Sequence, residues 1–139
     1  MNKMASEDIK VKCDQACQAA NDFSKLYYET FDKRRHVLSR LYMDTASLTW
    51  NGNSVTGISN ILTFYDTLPS SEHTVESLDA HPIVEGTQGQ STILVCACGY
   101  VKYQGNCAGT FTQNFLLASM PGDVWKVVSD CYRSTEVDN

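Results

Sequence analysis

Among the 139 residues, the side chains suited to moving a proton at carbon are Asp79, His81, Asp130 and the tyrosines Tyr27 and Tyr28. A carboxylate raised by burial and set opposite a tyrosine hydroxyl performs such a transfer inside an apolar cavity. The spacing marks no such pair, and Asp79, between His73 and His81, serves equally well as the cap of a strand end. The stretch Pro69-Ser70-Ser71 lacks a nucleophile elbow, and no glycine pattern outlines a phosphate loop. The pattern therefore favours a binding protein over an enzyme, with no catalytic residue, cofactor site or metal site.

Six cysteines fall at 13, 17, 96, 98, 107 and 131, without a Cys-x-x-Cys and without partnering histidines at zinc spacing. Cys13 and Cys17 lie one helical turn apart, and Cys96 and Cys98 share one side of a strand. Most of them are expected to be buried, reduced thiols behaving as small hydrophobes. The formal net charge of −5 opposes nucleic-acid binding, which needs a basic footprint. Against that average, Lys33, Arg34, Arg35 and Arg40 place four of the eleven basic residues within eight positions. A solvated helix face, a contact with an acidic partner and, as a minor option, an RNA contact all fit this cluster. Arg133, after a core-like run, is either solvent-facing or poised for a bidentate pair with a partner carboxylate.

The elements that position these groups follow from hydrophobic period. Ser6 to Phe31 reads as one helix, capped by Ser6 with Glu7 and Asp8 at its positive end. Its apolar stripe is Cys13, Ala16, Cys17, Ala20, Phe23, Tyr27 and Phe31. A short helix over 34–42 follows, then a strand over 43–50 that breaks at the hairpin-type turn Asn51-Gly52. Residues 57–68 return to helical period and Pro69 stops them. Strands are expected over 72–83, 91–103, 110–120 and 124–133, joined by loops near 85–90 and 104–109 and a Pro-Gly turn at 121–122.

Helices first and an antiparallel meander second predict an α+β domain with helices on one sheet face. The whole of 1–139 reads as one domain, with residues 1–5 a flexible extension. No apolar run is long enough to span a bilayer and the N-terminus has no apolar leader, so a soluble intracellular protein is expected. On 91–103 one side carries Leu94, Cys96, Cys98 and Tyr100 and the other Ile93, Val95, Ala97 and Val101. On 110–120 the two sides carry Phe111, Phe115 and Leu117, and Leu116, Ala118 and Met120. A sheet apolar on both faces, with helices for only one, predicts a second chain over the other.

The chain resembles the nuclear transport factor 2-like family end to end. The strings that carry the resemblance are Asp14-Gln15-Ala16-Cys17, Tyr27-Tyr28, Asp32-Lys33-Arg34-Arg35, Leu38-Ser39-Arg40-Leu41-Tyr42, Trp50-Asn51-Gly52-Asn53, Leu68-Pro69-Ser70-Ser71 and Ser129-Asp130-Cys131-Tyr132-Arg133. Trp50-Asn51-Gly52-Asn53 and Leu68-Pro69-Ser70-Ser71 point to its mRNA-export cofactor branch. The resemblance implies a cone of three N-terminal helices on a bent antiparallel sheet. It implies a heterodimer, sheet against sheet, with the corresponding domain of a nuclear RNA export factor. That pair binds nucleoporin phenylalanine-glycine repeats and shuttles mRNA through the nuclear pore between nucleus and cytoplasm. Arg133, Cys131, Phe115, Gln113 and Asp79 are the implied partner contacts, and Trp50 the implied nucleoporin contact. The family's Ran-GDP carriers have an acidic residue after their Trp, where this chain has Asn51, and acids in the loop matching 104–109, where it has none. Ran is therefore the disfavoured partner, with a homodimeric Ran-GDP carrier as the alternative function. A small-molecule enzyme in the same cone ranks below it.

Overall fold

A computed structural model describes residues 3–83, 91–104, 108–122 and 124–136. Helix α1 (Lys3–Lys33) runs 31 residues, about 46 Å at 1.5 Å per residue. It begins inside the stretch expected to be an extension, so Ser6 lies within the helix; the side chains of Ser6, Glu7 and Asp8 lie outside the described ones. No Gly or Pro interrupts it, and Ala16, Ala20, Phe23, Tyr27 and Phe31 form its buried stripe. A 3₁₀ helix (Arg35–Leu41) follows in place of the expected α-helix. Its three-residue period puts Arg35, Leu38 and Leu41 on one side, with both leucines in the core.

Strands β1 (Tyr42–Trp50) and β2 (Asn53–Thr56) form a hairpin. Both turn residues, Asn51 and Gly52, have positive φ (47° and 87°), the geometry that closes a two-residue hairpin with the sheet's own twist. Four-residue β2 was not foreseen. Helix α2 (Ile58–Tyr65) buries Ile61 and Tyr65, and its chain then turns through Leu68 to Pro69. Strands β3 (Ser71–Ile83), β4 (Thr92–Tyr103), β5 (Ala108–Met120) and β6 (Val124–Glu136) complete the sheet.

The strand order is β2-β1-β6-β5-β4-β3. The last four strands form the expected antiparallel meander, but β1 pairs with β6 in parallel, so the sheet is mixed. The crossover through α2 carries the chain to the far edge, and the meander brings it back running the way β1 runs. Register shifts in β1, in β3 between Val75 and Ser77, and between β5 and β6 beside Leu116 bend the sheet around the helices. Gly99 faces the β3 bulge, where a Cβ would sit 1.9 Å from the Thr74 carbonyl oxygen.

The inner face carries Ile93, Val95, Ala97, Val101, Phe111, Phe115, Leu117 and Val127 against α1. The outer face is not the apolar surface expected. Leu94, Cys96, Cys98 and Leu116 are half-buried there, but Thr74, Ser77, Asp79, His81, Thr110, Thr112, Cys131 and Arg133 are exposed beside them. The cysteines also depart from expectation, since Cys17 and Cys131 are exposed and Cys13, Cys96 and Cys98 half-buried. All five are free thiols; Cys107 lies outside the described residues.

Candidate functional site

Strand β6 displays two surfaces at once. Asp130 and Tyr132 point inward, while Cys131 and Arg133 point out between β1 and β5. Outward positions fall in register across the sheet: Ser77, Cys98, Thr112 and Arg133 form one row. Asp79, Cys96, Asn114, Cys131 and Thr49 form the next, and His81, Leu94, Leu116 and Ser129 the third. Three strand spacings, roughly 14 Å, separate Asp79 from β6, so it does not reach Arg133. Among the described residues Arg133 has no carboxylate partner. Ser77 and Cys98 bond to each other at 2.7 Å, and Tyr100 stands 53% exposed at the end of β4.

Three residues expected at a partner face lie elsewhere. The pleat turns Gln113 and Phe115 inward, 1% and 0% exposed, with the Phe115 ring against Phe23 and Tyr27. Trp50 is 6% exposed, its ring stacked on Tyr132 at 3.9 Å and met edge-on by Phe64 and Tyr65. It has no open face to offer a nucleoporin phenylalanine.

Behind the sheet face sits a polar cluster that the sequence showed only in part. Tyr42 opens β1, Tyr65 ends α2, Tyr27 comes from the middle of α1, and all three hydroxyls meet the Asp130 carboxylate. Tyr42 donates to Asp130 Oδ2 at 2.5 Å, and Gln113 Nε2 donates to Oδ1 at 2.9 Å. A hydroxyl has one proton and two lone pairs. Tyr42 Oη, having given its proton to Asp130, accepts from Tyr27 at 2.7 Å and Tyr65 at 2.8 Å. The contacts of Tyr27 and Tyr65 with the carboxylate itself, at 3.4 and 3.3 Å, are secondary. Tyr28 donates to Gln113 Oε1 at 2.8 Å, fixing the orientation of the amide. Burial raises the Asp130 carboxyl to about 6, because desolvation outweighs the Tyr42, Gln113, Tyr65 and Tyr27 donors. Burial likewise raises the hydroxyls of Tyr27, Tyr28, Tyr42 and Tyr65.

The raised carboxylate opposite a tyrosine hydroxyl considered from sequence is present as Asp130 with Tyr27. Asp79 and His81 take no part in it, being exposed on the outer side of β3. Asp130 is 3% exposed with both oxygens already accepting bonds.

A second network binds α1, β3 and β6. The Asp32 carboxylate accepts from Ser71 Oγ (2.7 Å), the His73 backbone N–H (2.7 Å) and His73 Nδ1 (2.8 Å). With Nδ1 donating, Nε2 accepts from the Tyr132 hydroxyl at 2.9 Å, and Tyr103 meets that hydroxyl at 3.0 Å. Arg35 lies over the Phe31 ring and donates to the carbonyls of Phe31, Tyr65, Leu68 and Pro69 and to Ser71 Oγ. The strings around Asp32, Trp50, Ser71 and Asp130 thus converge in space as scaffold.

The nuclear transport factor 2 (NTF2) domain matches this chain over residues 19–134. The chain belongs to the NTF2 domain family. It is 53% identical over 132 residues to human NTF2-related export protein 2, covering 92% of this chain and 93% of that protein. Two solved structures share the NTF2-like fold. Nuclear transport factor 2 from Cryptosporidium parvum has a TM-score of 0.75 at 23% identity, over 87% of this chain and 95% of that one. The C. albicans Mtr2–Mex67 M domain complex gives 0.69 at 16% identity, over 90% of this chain and 99% of that one. The relatives by sequence are named as export and transport factors, and the α+β architecture inferred from the sequence is the family's.

Proposed function

We propose that this chain is a non-enzymatic mRNA-export cofactor that pairs, through the outer face of its sheet, with the NTF2-like domain of a nuclear RNA export factor. The observation that carries the reading is the outer face itself. No described element of the chain covers it, and the strand between β1 and β5 places exposed Cys131 and Arg133 there, Arg133 without a carboxylate partner among the described residues, on the same face as half-buried Leu94, Cys96 and Leu116. A mixed surface of this kind suits an interface with an apolar centre and charged anchors. Arg133 and Cys131 are its central contacts and Asp79 a contact nearer the β3 edge. The similarity to an export protein supports the same reading, as does the occurrence of this fold in a two-protein complex.

In this role the chain stabilises its partner, the pair binds phenylalanine-glycine repeats of nucleoporins, and the complex moves between nucleus and cytoplasm. The exposed side chains leave Ran the weaker candidate: Asn51, which stands where the Ran-GDP carriers have an acid, is held by Ser134 through Oδ1 (2.8 Å) and Nδ2 (3.3 Å). Residues 105–107 of the acid-free loop lie outside the described ones.

Light scattering after gel filtration, on the chain alone and mixed with the matching export-factor domain, tests the proposal. A one-to-one complex is the expected result. A homodimer that ignores the export factor and binds Ran-GDP overturns it in favour of the import carrier.

A further inference from the structure

The basic run that ends α1 divides in the fold. Arg35 turns inward and spends its donors on carbonyls, while Lys33, Arg34 and Arg40 remain exposed. Arg34 stands at the N-cap of the 3₁₀ helix and Arg40 in its last turn, both exposed. Lys33 also borders a cleft of about 670 Å³ whose other wall carries Lys102 at the end of β4, with Ser70 and Gln104 between them. Among the described residues none of Lys33, Arg34, Arg40 and Lys102 pairs with a carboxylate. Of the two acids lining the cleft, Asp32 is committed to Ser71 and His73, and Glu72 lies opposite Lys102 on β3.

We propose that this surface, formed by Arg34, Arg40, Lys33 and Lys102, docks an acidic peptide segment of a partner protein. Four cations that form no ion pair with a carboxylate among the described residues, on a chain of net charge −5, are complementary to a local run of carboxylates. Guanidinium forks match carboxylates in two-point geometry. Single-stranded RNA asks for a stacking platform as well as charge. Tyr100, on the same side of β4 as Lys102, is a single exposed ring among the described residues, and one ring is no run of stacking positions.

The test is fluorescence anisotropy on the full chain with a labelled peptide of alternating Glu and Ser, at about 50 mM and about 300 mM salt. Saturable binding that weakens with salt is expected. The Arg34→Gln/Arg40→Gln variant should lose about tenfold in affinity, and Lys102→Gln a smaller factor. Both sets of residues are exposed, so the melting temperature and the mass of the complex with the export-factor domain should stay as in the parent chain. A charge-reversed pair, Arg34→Glu/Arg40→Glu, should abolish binding and take up a Lys-Ser peptide instead. Absence of binding at the lower salt, equal affinity in the glutamine variant, or tighter binding of an oligouridine than of the peptide each overturns the proposal. None of these results alters the sheet-face reading, which is read out separately by the mass of the complex.

Discussion

Two charged groups three residues apart on β6, Asp130 and Arg133, live under opposite rules. The Asp130 carboxylate is buried with no cation near it and is held only by neutral donors. The Arg133 guanidinium is exposed and pairs with no carboxylate among the described residues. The inner side is closed, every buried polar side-chain atom among the described residues having a partner. The outer side is open, with donors and a thiol facing away from the chain. Changes on the inner side should therefore appear as stability, and changes on the outer side as association.

Phe115→Ala makes the largest break on the inner side. It empties a fully buried ring position against Phe23 and Tyr27 and should cost about 3–5 kcal/mol by urea denaturation. A small cost with a large loss of partner affinity would return Phe115 to the interface. Arg133→Ala should do the reverse, leaving stability within about 0.5 kcal/mol and weakening the export-factor complex by about 2–5 kcal/mol if the pair is desolvated. Unchanged affinity in a titration removes Arg133 from the contact set.

Asp130 gives the inner side a pH signature. Its folded-state value, about 6, lies above the ordinary 3.8, so the folded chain binds the proton more tightly than the unfolded one. This contribution is fully present below about pH 4 and is lost as pH rises through about 6, an effect on the order of 3 kcal/mol. Asp130→Asn should cancel it, so the stability difference between parent and variant should change with pH over that window. A flat difference would mean that the carboxyl titrates normally. Tyr27→Phe removes one donor to Tyr42 and should cost about 1 kcal/mol with no effect on association. Asp79→Ala, exposed toward the β3 edge, should move stability by under about 0.5 kcal/mol and affinity by at most about 1 kcal/mol.

What could be read in the sequence was whatever repeats locally. The α1 stripe and the two faces of β4 and β5 follow from periods of 3.6 and 2; Ala16, Ala20, Phe23, Tyr27 and Phe31 on α1 and Ile93, Val95, Ala97, Val101, Phe111, Phe115 and Leu117 on the strands are buried, while Cys17 of the expected stripe is exposed. The outer face differs from the apolar surface expected because Thr110, Thr112 and Asn114 share that side of β5 with Leu116 and Met120. The parallel β1–β6 pairing depends on a crossover through α2, which no local pattern encodes. Asp130 and Tyr27 were visible as chemical groups, but Tyr42 and Tyr65, 88 and 65 residues from Asp130, meet it only through the fold. Gln113 and Phe115 were carried to the interface by resemblance, whereas the pleat sets both on the inner side with Phe111 and Leu117. Gly99 carried no sequence signal, since its need arises from the backbone of a neighbouring strand.

The strand order carries a consequence for synthesis. β6 is made last of the six strands, yet it is the piece that joins β2-β1 to β5-β4-β3. On the ribosome the hairpin at Asn51-Gly52 and the β3–β5 meander exist as two unconnected fragments until that strand emerges. A nascent chain stalled before Val124 would lack the centre of its sheet and not an edge, leaving two raw strand borders for a chaperone to cover.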